Sequence, residues 1–311
     1  MRVLITGGAG FIGSHLADHY VNAGHTVTLL DNFSTGSHTN IAHLEGSLTT
    51  VDGDIRNIEL VDKLTKETDL VLHMAAALGV NTILESPLES MSTNITGSEV
   101  VLHAAAKHSK RIIIASTSEI YGKNTKQPLN EIDDRVVGAP QKIRWTYSDA
   151  KAIEEAMAFA LHQEKKLPVT TVRLFNTVGP RQTGRYGMVV PRFVQAALKN
   201  EPLTIFGDGT QTRSFCYVDD LVDGIHKLLL SDHSEPVNIG NPSEITITQF
   251  AEEIIKLTGT DQKVCYHELP VNDPKQRKPD ISKASEVLGW TPSVNLESGL
   301  NKTIEYFKTK L

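Results

Sequence analysis

The sequence predicts an α/β fold, a doubly wound parallel sheet joined to a smaller C-terminal α/β lobe. Three observations carry that prediction. The chain opens MRVLITGGAGFIGSHL, an apolar run followed by glycines at Gly7, Gly10 and Gly13 and then an amphipathic helix. Short apolar runs then alternate with helical stretches as far as Leu174, the rhythm of a parallel sheet covered on both faces. From Phe175 the texture changes to a glycine- and arginine-rich loop, GPRQTGRYG, which marks the start of the second lobe. A length of 311 residues accommodates one large domain or two fused ones, and 40% hydrophobic with 22% charged residues is ordinary for a globular chain.

Arg2 to Thr6 reads as the first strand, and the helix begins at Phe11. Between them the glycines let the backbone turn tightly and approach a pyrophosphate, at which the helix aims its first amides. That is a Rossmann-type dinucleotide pocket. Val27 to Leu30 supplies a second strand ending on Asp31, whose carboxylate accepts from a ribose 2′-hydroxyl and repels a 2′-phosphate. NAD is therefore expected rather than NADP. Further strands are predicted at Leu48 to Asp52, Leu70 to Met74, Arg111 to Ala115 and Val169 to Leu174, with long helices over Met91 to Lys107 and Tyr147 to Lys165. The expected division is an NAD-binding domain over residues 1–175, with a return segment around 213–239, and a mainly substrate-binding lobe over 176–311. In that lobe a helix is predicted from Val190 to Lys199, then the turn-rich FGDGTQTRSF, a helix end at His226 to Leu230 and a strand at Val237 to Gly240. A helix over Ile247 to Thr258, a polar loop from Pro270 to Pro279 and a last helix over Leu296 to Lys308 follow, without internal repeats.

A net charge of −6 with scattered basic residues argues against a nucleic-acid surface. Cys216 and Cys265 stand far apart, which fits a reducing compartment without disulfides. No apolar stretch is long enough to span a membrane, and the N-terminus reads as the first strand rather than a cleavable signal, so a cytoplasmic location is expected. The 12 histidines fall singly, and no metal site is expected.

Two constellations carry chemistry. Tyr147 and Lys151 in YSDAK lie four apart at the start of a helix, on one face. A phenol, with an ordinary pKa of about 10, needs a nearby cation to act as a base at neutrality, and Lys151 with an oxidised nicotinamide is expected to supply it. Thr117, Ser118 and Glu119 in STSEIYG stand where a predicted strand ends, the side of an open α/β sheet on which ligands bind.

The pattern as a whole resembles the extended short-chain dehydrogenases/reductases that modify nucleotide sugars. The likeness is nearly full length and runs through TGGAGFIGSHL, LDN, DGDI, LHMAA, Asn94, STSEIYG, YSDAK, RLFNTVGPR, GDGTQTRSF, VNIGN and RKPDISKASEVLGW. It implies that Tyr147 takes the proton of the sugar 4-hydroxyl while the C4 hydride passes to NAD, with Thr117 holding the same oxygen. A 4-keto sugar results. Implied cofactor contacts are Gly7, Gly10, Phe11, Ile12, Gly13, Asp31, Asn32, Asp54, Ile55, Ala75, Tyr147 and Lys151. Asn176 and Arg213, joined by Arg185, are implied for the diphosphate side of the nucleotide sugar.

The second chemical step is decided near C5 and C6 of the sugar. A ketone at C4 with a carboxylate at C6 is a β-keto acid, and its loss of carbon dioxide leaves an enolate. Ser118 and Glu119 match the Ser-Glu pair of the uronate decarboxylases that the chain resembles, and Arg277 matches their arginine. UDP-glucuronate decarboxylation to UDP-xylose is the expectation, with Arg277 gripping the carboxylate. A 4-epimerase of UDP-glucose or UDP-glucuronate would need only Thr117, Tyr147 and NAD. An NDP-hexose 4,6-dehydratase would need an acid and a base, and many carry Asp where this chain has Ser118. A non-catalytic NAD-binding regulatory relative would have little use for an intact Tyr147 and Lys151. The loop Gly179 to Val190 and the sequence AIEEA after Lys151 depart from the decarboxylases. The two long helices resemble a four-helix dimer interface, with small residues at Ala104 to Ala106 and Ala156 to Ala160, so a homodimer is implied.

Overall fold

The computed structural model describes residues 1–79, 85–184, 188–268 and 276–311. Arg185 and most of the Pro270 to Pro279 loop lie outside the described residues. The first lobe is built on β1 (Arg2–Thr6), β2 (Thr26–Asp31), β3 (Thr49–Asp52), β4 (Leu70–His73), β5 (Arg111–Thr117) and β6 (Val169–Leu174). With the short strand Val237–Ile239 they form a seven-stranded sheet in the order Val237–Ile239, β6, β5, β4, β1, β2, β3. Every pairing is parallel. The chain starts at β1, works outward to β3, then crosses back to β4 on the other side of β1. Loops leaving β1 and β4 therefore diverge, and the crevice they leave is where ligands of such sheets bind.

The strands are nearly continuous apolar runs because both faces are covered. On one face, α1 (Phe11–Asn22) and the helix Val218–Leu230 bury Leu16, Tyr20, Leu221 and Ile225 against β1 and β2. On the other, α2 (Ile58–Lys66), Ser98–Lys107 and Thr146–Lys165 cover Leu4, Val71, Ile112 and Ile114. The second lobe has its own core, where Phe193, Phe215, Phe250 and Ile304 meet between the helices Val189–Leu198, Ile247–Thr258 and Leu296–Lys308.

Two departures from the sequence reading have physical causes. The helix predicted from Met91 begins at Pro87 and contains a π turn, Thr93–Gly97. That turn presents Asn94 to the loop after β4, where its side chain accepts from the Ala77 amide at 2.8 Å and donates to the Ala77 carbonyl at 2.9 Å. The chain also returns to the first lobe once more than the sequence suggested. Helix Ser282–Leu288 packs on Val218–Leu230, and the fully buried Trp290 inserts into the core of the first lobe, donating its indole N–H to the Asp220 carbonyl at 3.0 Å. Among the described residues, no helix is long and apolar enough to cross a membrane.

Candidate active site

The crevice at the ends of β1 and β4 opens into a cleft of about 1350 Å³ that runs across both lobes. That exceeds the roughly 300–1,000 Å³ of common small-molecule sites, leaving room for a dinucleotide and a second nucleotide together. The glycines form its floor for steric reasons. Gly7 has φ +68°, and a Cβ there would stand 2.7 Å from the Ala75 backbone; at Gly13 it would lie 2.1 Å from the Gly7 carbonyl oxygen. Gly10 starts α1 with no side-chain cap, so the first-turn amides face the cleft unclaimed by a cap. Gly13→Ala is expected to push α1 off the loop at a cost of about 1–3 kcal/mol and to weaken NAD binding, read by calorimetric titration alongside thermal unfolding.

Phe11, Ile12, Asp31, Asn32, Ile55 and Ala75 line the same part of the cleft. The Asp31 carboxylate accepts from the amides of Ala9 at 2.9 Å and Phe33 at 2.8 Å, which aims it across the glycine loop. Burial nevertheless raises its carboxyl above the usual range. Asp54 differs from its neighbours. Gly53 and Ile55 line the cleft, whereas the Asp54 carboxylate sits in the fork of Arg56, at 2.9 and 2.7 Å, and that pairing pulls it down to about 2.

The second group of residues sits where β5 ends. Thr117 caps the following turn, its hydroxyl accepting from the Glu119 amide at 3.1 Å, and the turn carries Ser118 and Glu119 along the cleft. Tyr147 and Lys151 face them from the first turns of Thr146–Lys165. Lys151, expected to act on the phenol together with an oxidised nicotinamide, is paired here with an acid. Its Nζ is held 2.7 Å from Glu154 Oε2, both side chains being 1% exposed. Burial, then the charges of Glu154 and Glu119, raise the Tyr147 phenol above its ordinary value, with Thr117 countering.

Glu119 itself lies between two guanidinium groups. Arg144 binds both of its oxygens, at 2.7 and 3.1 Å, and Arg277 donates to Oε1. Burial alone would raise this carboxyl, but Arg277 and Arg144 outweigh burial and hold it at about 2. Arg277 is buried, and its second terminal nitrogen has no hydrogen-bond partner among the described residues. It is delivered from far along the chain by backbone pairing: Leu129 donates to the Lys278 carbonyl, and Asp280 donates to the Leu129 carbonyl, each at 2.8 Å. Asn238 of the VNIGN motif fastens that junction, donating to the carbonyls of Leu129 at 3.0 Å and Asp280 at 3.2 Å.

A pH dependence follows from the Glu119 cluster. The folded-state pKa lies below the unfolded value of about 4.3, so the ion pair contributes fully above that pH and is lost as the pH falls toward 2. Thermal unfolding between about pH 5 and pH 2 is expected to cost the wild type on the order of 2 kcal/mol more than Glu119→Gln.

Asn176 and Arg213 line the part of the cleft contributed by the second lobe, Arg213 from the strand Thr212–Ser214. No group of three His, Cys, Asp or Glu side chains suited to a metal ion occurs among the described residues.

The model of the NAD dependent epimerase/dehydratase family matches residues 3–240. The chain belongs to this family. A UDP-N-acetyl-alpha-D-glucosaminuronate decarboxylase of Bacillus cytotoxicus is 41% identical, covering 99% of this chain and 98% of the relative. UDP-glucuronic acid decarboxylase 1 of Xenopus tropicalis is also 41% identical, over 100% of this chain and 73% of the relative. Among solved structures, a UDP-glucuronic acid 4-epimerase from Bacillus cereus, in complex with UDP-glucuronic acid and NAD, superposes with a TM-score of 0.91 at 32% identity, covering 100% of both chains.

This member of the epimerase/dehydratase family is an NAD-dependent enzyme, and its residues fit the cofactor. A glycine floor that any Cβ would obstruct, helix amides without a cap and a buried carboxylate at the end of β2 are the three features a dinucleotide requires. Two functional candidates escaped the sequence reading. Arg144 stands in the 3₁₀ turn Ile143–Trp145 that leads into the helix of Tyr147; its segment, IRWTYSDAK, resembles the bacterial decarboxylases, but nothing in it singled out the arginine. Glu154 stands three residues after Lys151, a spacing shared with many exposed ion pairs, and nothing local marks it as buried.

Proposed function

We propose that the enzyme decarboxylates a UDP-linked uronic acid, converting UDP-glucuronate to UDP-xylose. The observation that carries this reading is the Arg144–Glu119–Arg277 cluster beside Tyr147: the two guanidinium groups share one carboxylate, and the second terminal nitrogen of buried Arg277 keeps an unsatisfied donor among the described residues. A substrate carboxylate at C6 satisfies that donor. The decarboxylase relatives support the same reading.

Tyr147 removes the proton of the 4-hydroxyl, Thr117 holds that oxygen, and Lys151 binds near the nicotinamide ribose. NAD, when bound, supplies the acceptor for the C4 hydride and then its donor. In the resulting 4-keto uronate the C5–C6 bond breaks, carbon dioxide departs, and the electron pair moves to the C4 oxygen as an enolate. Arg277 first grips the carboxylate and then faces the enolate charge. It is a poor proton donor, since guanidinium keeps its proton near neutrality, so water protonates C5. Ser118 stands beside Glu119 to order that water. The hydride returns to C4 and Tyr147 returns the proton.

Glu119 cannot serve as the acid of a dehydration. A carboxyl held at about 2 is ionised near neutrality and has no proton to give a departing 6-hydroxyl. Epimerisation of a uronate is the second reading, favoured by the likeness to the B. cereus 4-epimerase, because the arginines would hold the C6 carboxylate in either case. The remaining assignments belong to the same proposal. Residues 1–175 with the returning segments hold NAD, Asn176, Arg185 and Arg213 hold the diphosphate in the second lobe, and the protein is a cytoplasmic homodimer joined through the helices that begin at Pro87 and Thr146.

Incubation with UDP-glucuronate, UDP-N-acetylglucosaminuronate, UDP-glucose and dTDP-glucose, followed by product mass analysis, tests this. Loss of roughly 44 Da, the mass of carbon dioxide, from a uronate supports the proposal, while unchanged mass or loss of water overturns it.

A further inference from the structure

Behind the Tyr147–Lys151 pair lies a buried acid that the proposed reaction does not use. Glu154 Oε2 accepts from Lys151 Nζ at 2.7 Å, and burial raises the Glu154 carboxyl above the usual range while the charge of Lys151, the bond to it and the Ser98 hydroxyl pull the other way. The neighbourhood otherwise offers little charge. From β4, the fully buried His73 stands with Nε2 3.9 Å from Oε1, but its own bonds go to Thr6 of β1 at 2.7 Å and to Ser98 at 2.9 Å. Burial, then Lys151, pull the His73 ring down to about 3, so it is neutral near pH 7. Glu155, next along the helix, is taken by Arg173 of β6 at 2.8 and 3.0 Å. On the far side of Tyr147, Glu119 is bound by its two arginines. Lys151 is thus the one cation bound to Glu154 among the described residues.

A carboxylate and an ammonium in contact form a dipole of no net charge, and in a poorly solvated interior such cancellation is strong. We propose that Glu154 is a positioning residue that holds the Lys151 ammonium and, by neutralising its charge, keeps Tyr147 protonated until oxidised cofactor is bound. The proposal rests on the reading of Tyr147 and Lys151 as the proton-transfer pair. Its consequence is a base that forms only in a loaded site, where the positive nicotinamide ring replaces the field that Glu154 cancels. The direction agrees with the raised phenol of Tyr147.

The test is a titration of Tyr147 itself, read as the phenolate absorbance of the protein minus that of its Tyr147→Phe variant, with and without NAD⁺. In the wild type the midpoint should fall when NAD⁺ binds. In Glu154→Gln it should be lower by at least ~1 pH unit, a tenfold change in ionised fraction, even without cofactor. Glu154→Asp keeps the charge and should retain most of the wild-type midpoint, whereas Glu155→Gln should weaken the fold and leave the midpoint alone. Glu154→Ser serves the same purpose if the glutamine variant does not fold. An unchanged midpoint in a folded Glu154 variant that has lost the charge overturns the proposal, as does a wild-type midpoint indifferent to NAD⁺. Reduction of bound NAD by UDP-glucuronate, followed in the same preparations, separates the two claims: its absence from the wild type overturns the proposed function, and the titration still decides the role of Glu154.

Discussion

Tyr147→Phe is expected to lower kcat for carbon dioxide release by about 10²–10⁴-fold, the usual worth of a positioned acid–base group, while NAD affinity stays near the wild-type value. The ring itself is retained, and Lys151 and the glycine floor are untouched. What disappears is the phenol oxygen that, in the proposed mechanism, takes the 4-hydroxyl proton beside Thr117. Because every later step needs the 4-keto sugar, the loss should be complete at the first step, with no reduced cofactor seen in a single turnover. Wild-type turnover in this variant would remove Tyr147 from the mechanism.

Arg277→Ala is expected to lower kcat/KM for UDP-glucuronate by about 10²–10³-fold, since it removes a charge-assisted bond to the substrate and uncouples a buried ion pair. Glu119 would keep only Arg144, and its carboxyl should rise from about 2 toward the ordinary range. Arg277→Lys should recover little, because an ammonium cannot reach Glu119 and a second carboxylate with separate fixed donors. The selective part of the expectation is the comparison with UDP-glucose. Its affinity as a competitive inhibitor should change far less, since it has no C6 carboxylate to grip. Equal losses for both sugars would mean that Arg277 supports the fold of the cleft rather than binding the acid group.

Residues whose roles are fixed by their neighbours in sequence were legible before the structure. Gly13 is readable because the clash that excludes a side chain, with the Gly7 carbonyl, is with the same turn of chain, and Tyr147 and Lys151 because helical spacing alone aligns them; the clash at Gly7 is instead with Ala75 of the loop after β4, and only its place in the glycine ladder marked it. Asp31 was readable for the same local reason, as the last residue of β2. Asp54 shows the limit of that kind of reading. Its motif points to the cofactor, yet Arg56, two residues on, competes for the same carboxylate. Arg277 could be named from its motif, but the bond to Glu119 spans 158 residues of chain and depends on the Asn238 junction. The return of Trp290 to the first lobe was equally hidden, since an apolar residue does not announce which of two cores will bury it. Burial of Glu154 was hidden too: its helix, rich in alanine, carries polar residues around much of its circumference, and only packing against β4 and Ser98–Lys107 decides which acid goes inside.

The central claim is that a hydride is borrowed from C4 and returned to it, with carbon dioxide lost in between. UDP-glucuronate labelled with deuterium at C4, converted in the presence of unlabelled NAD, tests it in one measurement of product mass. The expected product is a pentose sugar nucleotide that has lost carbon dioxide and kept its deuterium. A product that keeps the carboxylate, or one that loses carbon dioxide together with the label, would contradict it.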